Sequence, residues 1–287
     1  MLNKNRIAPS SCLARSTVRA ALAFVFLALG WKSLASEKLV SITNVKTNGL
    51  TVFYVQNLQQ ADVTVTIEAS LSNYAAEKTL PFTATVPPNS KIEAFTIHRV
   101  EANKDADWSY KYFATWGSLA AKHDDSFVYS LPFASGEAYP VSQGFHGAYS
   151  HTGGDSFAID FKMDEGTHVH AARGGVVVGV KNDSSKGGPS KKFEWDANYI
   201  LIKHSDGTLG HYVHLQKGGA RVKVGDVVKK GDWIGMSGNT GHTTGPHLHF
   251  AVFRAASGKS RETVPVRFEA TGLMAQTLKE GDTYRAL

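Results

Sequence analysis

The sequence contains one cysteine among its 287 residues, Cys12, which lies in a segment that we expect to be removed. A mature chain without thiols can form no disulfide, so its stability must come from core packing. Any metal ion that it binds must take nitrogen and oxygen ligands, because no sulfur is available from cysteine.

The expected mature chain also lacks a large excess of positive or negative charge. The formal net charge of +6 comes from 31 basic and 25 acidic residues. The first 35 positions hold five basic residues and no acidic one, which leaves 26 basic against 25 acidic residues in the rest of the chain. A nearly balanced mature chain argues against a nucleic-acid partner.

A hydrophobic run long enough to cross a bilayer is also missing near the N-terminus. The run from Ala20 to Trp31 is about half of the ~20 residues that a membrane helix needs. It follows a basic start and precedes Ser33-Leu34-Ala35, an order typical of a secretory signal. We expect residues 1–35 to be a signal peptide cleaved after Ala35, and the mature protein to be exported, periplasmic or secreted, without stable membrane insertion. An uncleaved anchor is the alternative.

Short strands separated by turns fill the part of the chain that follows. Segments 50–55, 63–67, 94–98 and 110–113 are rich in β-branched and aromatic residues, which is typical of a small β-sandwich. The predicted fold class is all-β. We assign residues 36–117 to an N-terminal β-sandwich-like domain, 118–130 to a linker, 131–275 to a second β domain and 276–287 to a C-terminal tail.

Ten of the twelve histidines fall in the second domain. Two histidines one residue apart on a strand, as in His247-Leu248-His249, point to the same face, where one can bind a metal ion and the other can move protons. The pattern alone is weak, because His168-Val169-His170 repeats it. His151, Asp160 and His214 add to it, since a zinc enzyme needs about three His, Asp or Glu ligands and an open position.

The second domain resembles the lysostaphin-type zinc metallopeptidases, also called LytM-like endopeptidases. The resemblance covers Leu131 to Phe253. Its motifs are Gly166-Thr167-His168-Val169, Val222 to Gly231, Gly238-Asn239-Thr240-Gly241 and Gly245-Pro246-His247-Leu248-His249-Phe250. It implies a LytM-like, mostly antiparallel β catalytic domain that hydrolyses peptide bonds in peptidoglycan.

The same resemblance implies a role for each site residue. His151, Asp160 and His249 would bind one Zn²⁺ per chain. His247 would be the general base on a zinc-bound water. His214 would position or polarise that water and stabilise the oxyanion.

The aspartate departs from the family pattern. The family usually places its first histidine and aspartate four residues apart, which fits His151 and Asp155. Asp160, however, lies six residues before Gly166, the family's distance to the Gly-Thr turn, and sits in an apolar segment. We favour Asp160, with a short insertion after His151, and Asp155 stays open.

Other functions also stay open. The domain could be a catalytically inactive wall-binding or regulatory module of the same fold, or a secreted protease acting on Gly-rich proteins. Residues 222–231 also resemble lipoyl or biotinyl carrier domains, a role that export disfavours. For the N-terminal domain, positioning, wall binding and latency are all compatible with the sequence, which also leaves open the bond cut, the activator and the oligomeric state.

Overall fold

The structure is a computed structural model and describes residues 38–287. The predicted signal peptide, with Cys12 and the expected cleavage site, lies outside the described residues. Within residues 38–287, two short 3-10 helices, Gly153–Asp155 and Lys191–Asp196, accompany 23 strands. The all-β prediction is confirmed. The described residues include no helix with the length and apolarity needed to cross a membrane.

Seven strands form a β-sandwich, which we call the sandwich, of two antiparallel sheets. The sheet orders are β1-β2-β6-β4 and β5-β3-β7. Phe53, Val65 and Phe95 are buried between the sheets. The strands are β1 (Val40–Thr47), β2 (Leu50–Asn57), β3 (Val63–Ser72), β4 (Tyr74–Ala76), β5 (Phe82–Val86), β6 (Lys91–Arg99) and β7 (Asp107–Trp116).

The rest of the chain is built on one large sheet with the order β16-β12-β14-β15-β19-β10-β9-β23, with β20 paired to β19. Every pair in this sheet is antiparallel. The strands are β8 (Val128–Ser130), β9 (Ala138–Gln143), β10 (Ile159–Phe161), β11 (His168–His170), β12 (Gly175–Lys181), β13 (Gly187–Gly188), β14 (Asn198–Lys203), β15 (Leu209–Leu215), β16 (Val227–Val228), β17 (Trp233–Met236), β18 (Gly241–His242), β19 (Leu248–Ala255), β20 (Arg261–Thr263), β21 (Arg267–Ala270), β22 (Leu273–Gln276) and β23 (Thr283–Arg285).

Each face of the large sheet meets a different hydrophobic core. On β19, Leu248, Phe250 and Val252 point into a core that includes residues of β8, β11, β17 and β21. Alternation along the strand places His249 and Phe253 on the opposite face. Phe253 packs there into the same core as Phe53 and Phe95 of the sandwich. The sandwich therefore covers part of the sheet face that also carries His249.

A glycine fixes this contact between the sandwich and the large sheet. The tip of the β19–β20 hairpin reaches the sandwich at Gly258, whose N–H donates to Thr66 Oγ1 at 3.0 Å. Thr115 Oγ1 donates to the Gly258 carbonyl at 2.9 Å. A Cβ on Gly258 would lie 2.1 Å from the Thr66 nitrogen, so no larger residue fits this approach.

Two segments set apart in the sequence analysis carry strands. β8 lies in the segment predicted to be a linker and pairs in parallel with β21. β23 lies in the segment predicted to be a tail and pairs with β9. Both strands bring buried tyrosines, Tyr129 and Tyr284, into the core beneath the large sheet. The domain boundaries remain predictions.

Candidate active site

Two neighbouring strands place Asp160 beside His249. In the antiparallel pairing of β10 with β19 these residues lie directly opposite each other, so their side chains leave the same face of the sheet. His249 Nδ1 lies 2.9 Å from Asp160 Oδ1. The pairing of β10 with β19 thus brings together two residues that are 89 positions apart in the sequence.

His151 approaches the same carboxylate from the loop between β9 and β10. Its side chain is fully buried, and its Nδ1 lies 2.8 Å from the Gly144 carbonyl oxygen. A carbonyl can only accept, so Nδ1 carries the proton and Nε2 keeps its lone pair. Nε2 lies 3.2 Å from Asp160 Oδ1 and has no hydrogen-bond partner. A buried imidazole nitrogen without a partner is suited to bind a metal ion.

The three predicted ligands fit a zinc ion. One ligand atom from each of His151, Asp160 and His249 lies within 4.8 Å of the other two. A tetrahedral ion with bonds of about 2.1 Å separates its ligand atoms by roughly 3.4 Å, close to the two distances measured to Asp160 Oδ1. Two imidazoles and a carboxylate are also the kind of donor set that zinc accepts.

Charge favours the ionised form of the central carboxylate. Burial alone would raise the pKa of Asp160, but the adjacent imidazoles of His151 and His249 outweigh burial and hold that pKa well below its usual value. Gln143, at the end of β9, donates from Nε2 to Asp160 Oδ2 at 3.0 Å. Its amide thereby occupies one carboxylate oxygen and leaves Oδ1 facing the histidines.

Sequence analysis missed Gln143. Its Oε1 also accepts from the backbone N–H groups of Tyr149 and Ser150, each at 3.1 Å, which ties the loop before His151 to the carboxylate. The only signal in the sequence was a polar residue ending the strand Ala138–Gln143. That signal is uninformative until the pairing of Gln143 with Asp160 is known.

His214 and His247 form a second pair on the other side of the cluster, with ring centroids 4.5 Å apart. His214 Nδ1 lies 2.7 Å from the Thr240 carbonyl oxygen, and His247 Nδ1 lies 2.8 Å from that of Gly245. Both Nδ1 atoms therefore donate, and both Nε2 atoms can accept a proton or a hydrogen bond. His247 Nε2 lies 3.9 Å from Asp160 Oδ1.

The lowered pKa of His214 limits the proton chemistry that its imidazole can perform. Burial lowers the pKa of His214 to about 3, with further lowering by His247, so its imidazole is neutral near pH 7. A neutral ring whose proton is on Nδ1 offers a lone pair at Nε2. That ring can orient a water by accepting its hydrogen, whereas donation to an oxyanion would first require protonation.

Asp155, the alternative ligand, lies outside the cluster. It ends the 3-10 helix Gly153–Asp155 and pairs with Arg261 Nη2 at 2.7 Å. Burial raises the pKa of Asp155, but Arg261 outweighs burial and lowers it. Arg261 Nη1 also donates to Nδ1 of the buried His211 at 3.3 Å.

Three other histidines lie apart from the three predicted ligands. His168 stacks on Trp233 with ring centroids 4.4 Å apart, and His170 Nδ1 contacts the Gly231 carbonyl. His204 is buried beneath the large sheet and contacts the Gly174 carbonyl. None of these belongs to the group that could hold a metal ion, which was found within residues 38–287.

A groove of about 280 Å³ opens over the cluster. Asp160, His214, His247 and His249 lie on its floor. Its rim includes Tyr149 and His242, whose rings stack at 6.4 Å. The residues lining the groove are Ser142, Gln143, Tyr149, Ser150, Asp160, Lys162, His214, Thr243, Thr244, Gly245, Pro246, His247, His249 and His242. No residue of the sandwich is among them, and the arrangement is that of a candidate metal-dependent hydrolase site.

Comparison with known proteins agrees with this class. Residues 154–262 match the family model for peptidase family M23, a match that begins just after His151. The chain is 42% identical over 93 residues to the peptidoglycan DD-endopeptidase ShyA of Vibrio cholerae, covering 32% of this chain and 19% of that protein. It is 34% identical over 151 residues to lysostaphin of Staphylococcus simulans, covering 52% of this chain and 27% of that protein.

A solved structure is similar as well. The catalytic domain of the prophage-encoded M23 protein EnpA from Enterococcus faecalis is 27% identical, with 46% of this chain and 94% of that chain covered and a TM-score of 0.35. The matches to ShyA and lysostaphin span between about a fifth and about a quarter of the length of those proteins. This chain carries a peptidase family M23 domain, and the resemblance seen in the sequence is confirmed.

Proposed function

We propose that this protein is a zinc-dependent endopeptidase that hydrolyses peptide bonds in peptidoglycan. The observation that carries the proposal is that His151 Nε2 and His249 Nδ1 lie 3.2 and 2.9 Å from Asp160 Oδ1, beside an open groove that Asp160 and His249 line. The names of the relatives supply the substrate class, since ShyA is a peptidoglycan DD-endopeptidase.

The two remaining histidines supply proton chemistry. A zinc ion held by His151, Asp160 and His249 would supply Lewis acidity for the scissile carbonyl and for water. His247 Nε2, kept free by the Nδ1 contact with the Gly245 carbonyl, accepts the proton of the attacking water and returns it to the leaving amine. His214 Nε2 accepts a hydrogen bond from the second hydrogen of that water and so orients the water.

Export and the role of the sandwich belong to the same proposal. An exported enzyme meets peptidoglycan outside the cytoplasmic membrane, which agrees with the predicted signal peptide. Of the three roles for the sandwich, positioning is supported best, because its core merges with that of the large sheet while none of its residues lines the groove. A latency device would have to block that groove.

The test uses residues 36–287, purified and loaded with zinc, on isolated peptidoglycan, with mass spectrometry of the released fragments. Wild type should bind about one zinc per chain and release peptide-linked products that identify the bond. His249→Ala should lose both zinc and products. Arg267→Gln, an exposed change on β21 away from the groove, is the control and should retain both.

Two results would contradict the proposal. Wild type that binds no stoichiometric zinc and releases nothing would be an inactive module of the same fold. Wild type that binds zinc and leaves peptidoglycan intact, but digests a Gly-rich protein offered in parallel, would be a protease of another substrate class.

A further inference from the structure

One cationic side chain lines the groove. Among the described residues that form its wall, Lys162 is the single lysine or arginine. Its side chain is exposed, and its ammonium group forms no hydrogen bond or ion pair with any of residues 38–287. Lys162 is therefore available to a ligand from solution.

The backbone holds Lys162 in a fixed position. It follows β10 directly, between Phe161 and Met163, which are buried in the core beneath the sheet. Its own N–H donates to the Pro140 carbonyl at 3.0 Å. Extended residues alternate in direction, so Lys162 shares the groove face with Asp160, roughly 7 Å further along the chain.

Asp160 does not bind the ammonium group of Lys162. The carboxylate oxygens of Asp160 are taken by His249, His151 and Gln143, and no ion pair joins Asp160 to Lys162. No other carboxylate lines the groove among the described residues. The positive charge thus faces the space in which a substrate beside the candidate metal site must lie.

We propose that Lys162 selects substrates with a free carboxylate on one of the two residues that flank the scissile bond. This inference rests on the proposed function and specifies its substrate class. A lysine side chain reaches about 6 Å from its Cα and forms charge-assisted hydrogen bonds with a carboxylate. An internal Gly–Gly linkage carries no such group, so it would leave Lys162 without a partner.

The test compares two cross-linked muropeptide dimers that differ at one kind of group. In one dimer the carboxylates beside the cross-link are free, and in the other they are carboxamides. Zinc-loaded wild type should cleave the carboxylate dimer with a kcat/KM about three- to fivefold higher, mostly through KM, as expected for a solvent-exposed ion pair. The preference should shrink as salt rises, because exposed charges are screened.

Matched variants assign the effect to the side chain. Lys162→Met should remove the preference and Lys162→Arg should keep it, with zinc content unchanged in both. Lys229→Met removes the same charge from an exposed lysine that does not line the groove, and should keep the preference.

The outcomes separate this inference from the function on which it rests. Equal cleavage of both dimers by wild type, or an undiminished preference in Lys162→Met, overturns the role of Lys162 and leaves the endopeptidase intact. Failure of zinc-loaded wild type to cleave either dimer overturns the proposed function and this inference with it.

Discussion

Asp155 pairs with Arg261 at 2.7 Å, and this pair anchors the segment between His151 and Asp160. The 3-10 helix Gly153–Asp155 packs against β20 so closely that a Cβ on Gly154 would lie 2.6 Å from the Arg261 carbonyl oxygen. The residues after His151 thus form a turn that is anchored on β20.

The two aspartates should therefore differ sharply on substitution. Asp160→Asn should lose stoichiometric zinc, because a charged ligand is replaced by a poor one. Asp155→Asn should keep zinc and lose about 1 kcal/mol of unfolding free energy, since its ion pair with Arg261 is partly exposed. Zinc analysis and urea unfolding of both proteins provide the measurement. Loss of zinc in Asp155→Asn with retention in Asp160→Asn would exchange their roles.

Gln143 is expected to tune metal affinity without touching the metal. Gln143→Leu removes the donor to Asp160 Oδ2 and the acceptor for the loop before His151. Groups that orient metal ligands typically contribute 10- to 100-fold in affinity, and we expect a loss of about this size. Competition with a chromogenic chelator measures it. Thr244→Ala, an exposed change on the groove wall, is the control, and equal affinities in the two variants would contradict the role of Gln143.

Substitution of His247 or His214 should lower turnover without loss of zinc. His247→Ala removes the general base, and a loss of kcat of about 10²- to 10⁴-fold is expected. His214→Ala should reduce kcat by less, because it removes only the acceptor that orients the water. Both proteins should keep one zinc per chain, as the metal content of the assayed samples will show. A larger loss in His214→Ala would reverse the assignment of base and positioning residue.

The sequence analysis named the three residues that the structure brings together, His151, Asp160 and His249. His247-Leu248-His249 on a strand fixes the direction of two imidazoles, which depends on local periodicity. The distance from Asp160 to Gly166 favours Asp160 over Asp155 only through the resemblance to the family. The tautomer of His214 could not be predicted, since it depends on the carbonyl of Thr240, 26 residues away in sequence.

The contact between the sandwich and the large sheet also escaped sequence analysis. Thr64 and Thr66 alternate with valine and isoleucine in β3, a pattern that predicts a strand but not what covers either of its faces. They are buried, since the hairpin carrying Gly258 lies against this face. Contacts between residues almost 200 positions apart leave no periodic trace, so two β units can be recognised while their packing cannot.

Acid should weaken the fold through His204. Burial, the largest cause, lowers the pKa of His204 from its usual value of 6.5 to about 4. The unfolded chain then binds a proton that the folded chain refuses between these values, so stability is complete above about pH 6.5 and falls as the pH drops toward 4. His204→Asn keeps a donor for the Gly174 carbonyl without this titration. Between pH 7 and 5 the wild type should lose about 2 kcal/mol more than this variant in urea unfolding. Equal losses would show that His204 has the same pKa in the folded chain as in the unfolded chain.

Gly258→Ala should disrupt the contact between the sandwich and the large sheet. The added Cβ would meet the backbone of Thr66, which cannot move without breaking the β3–β7 pairing, and overpacking of this kind costs about 1–3 kcal/mol. Ala256→Ser, two residues earlier and exposed, should be nearly neutral. Hydrogen exchange measures the local effect, because the Gly258 amide is protected by its bond to Thr66 Oγ1. Unchanged protection and stability in Gly258→Ala would mean that the hairpin tip does not hold the sandwich in place.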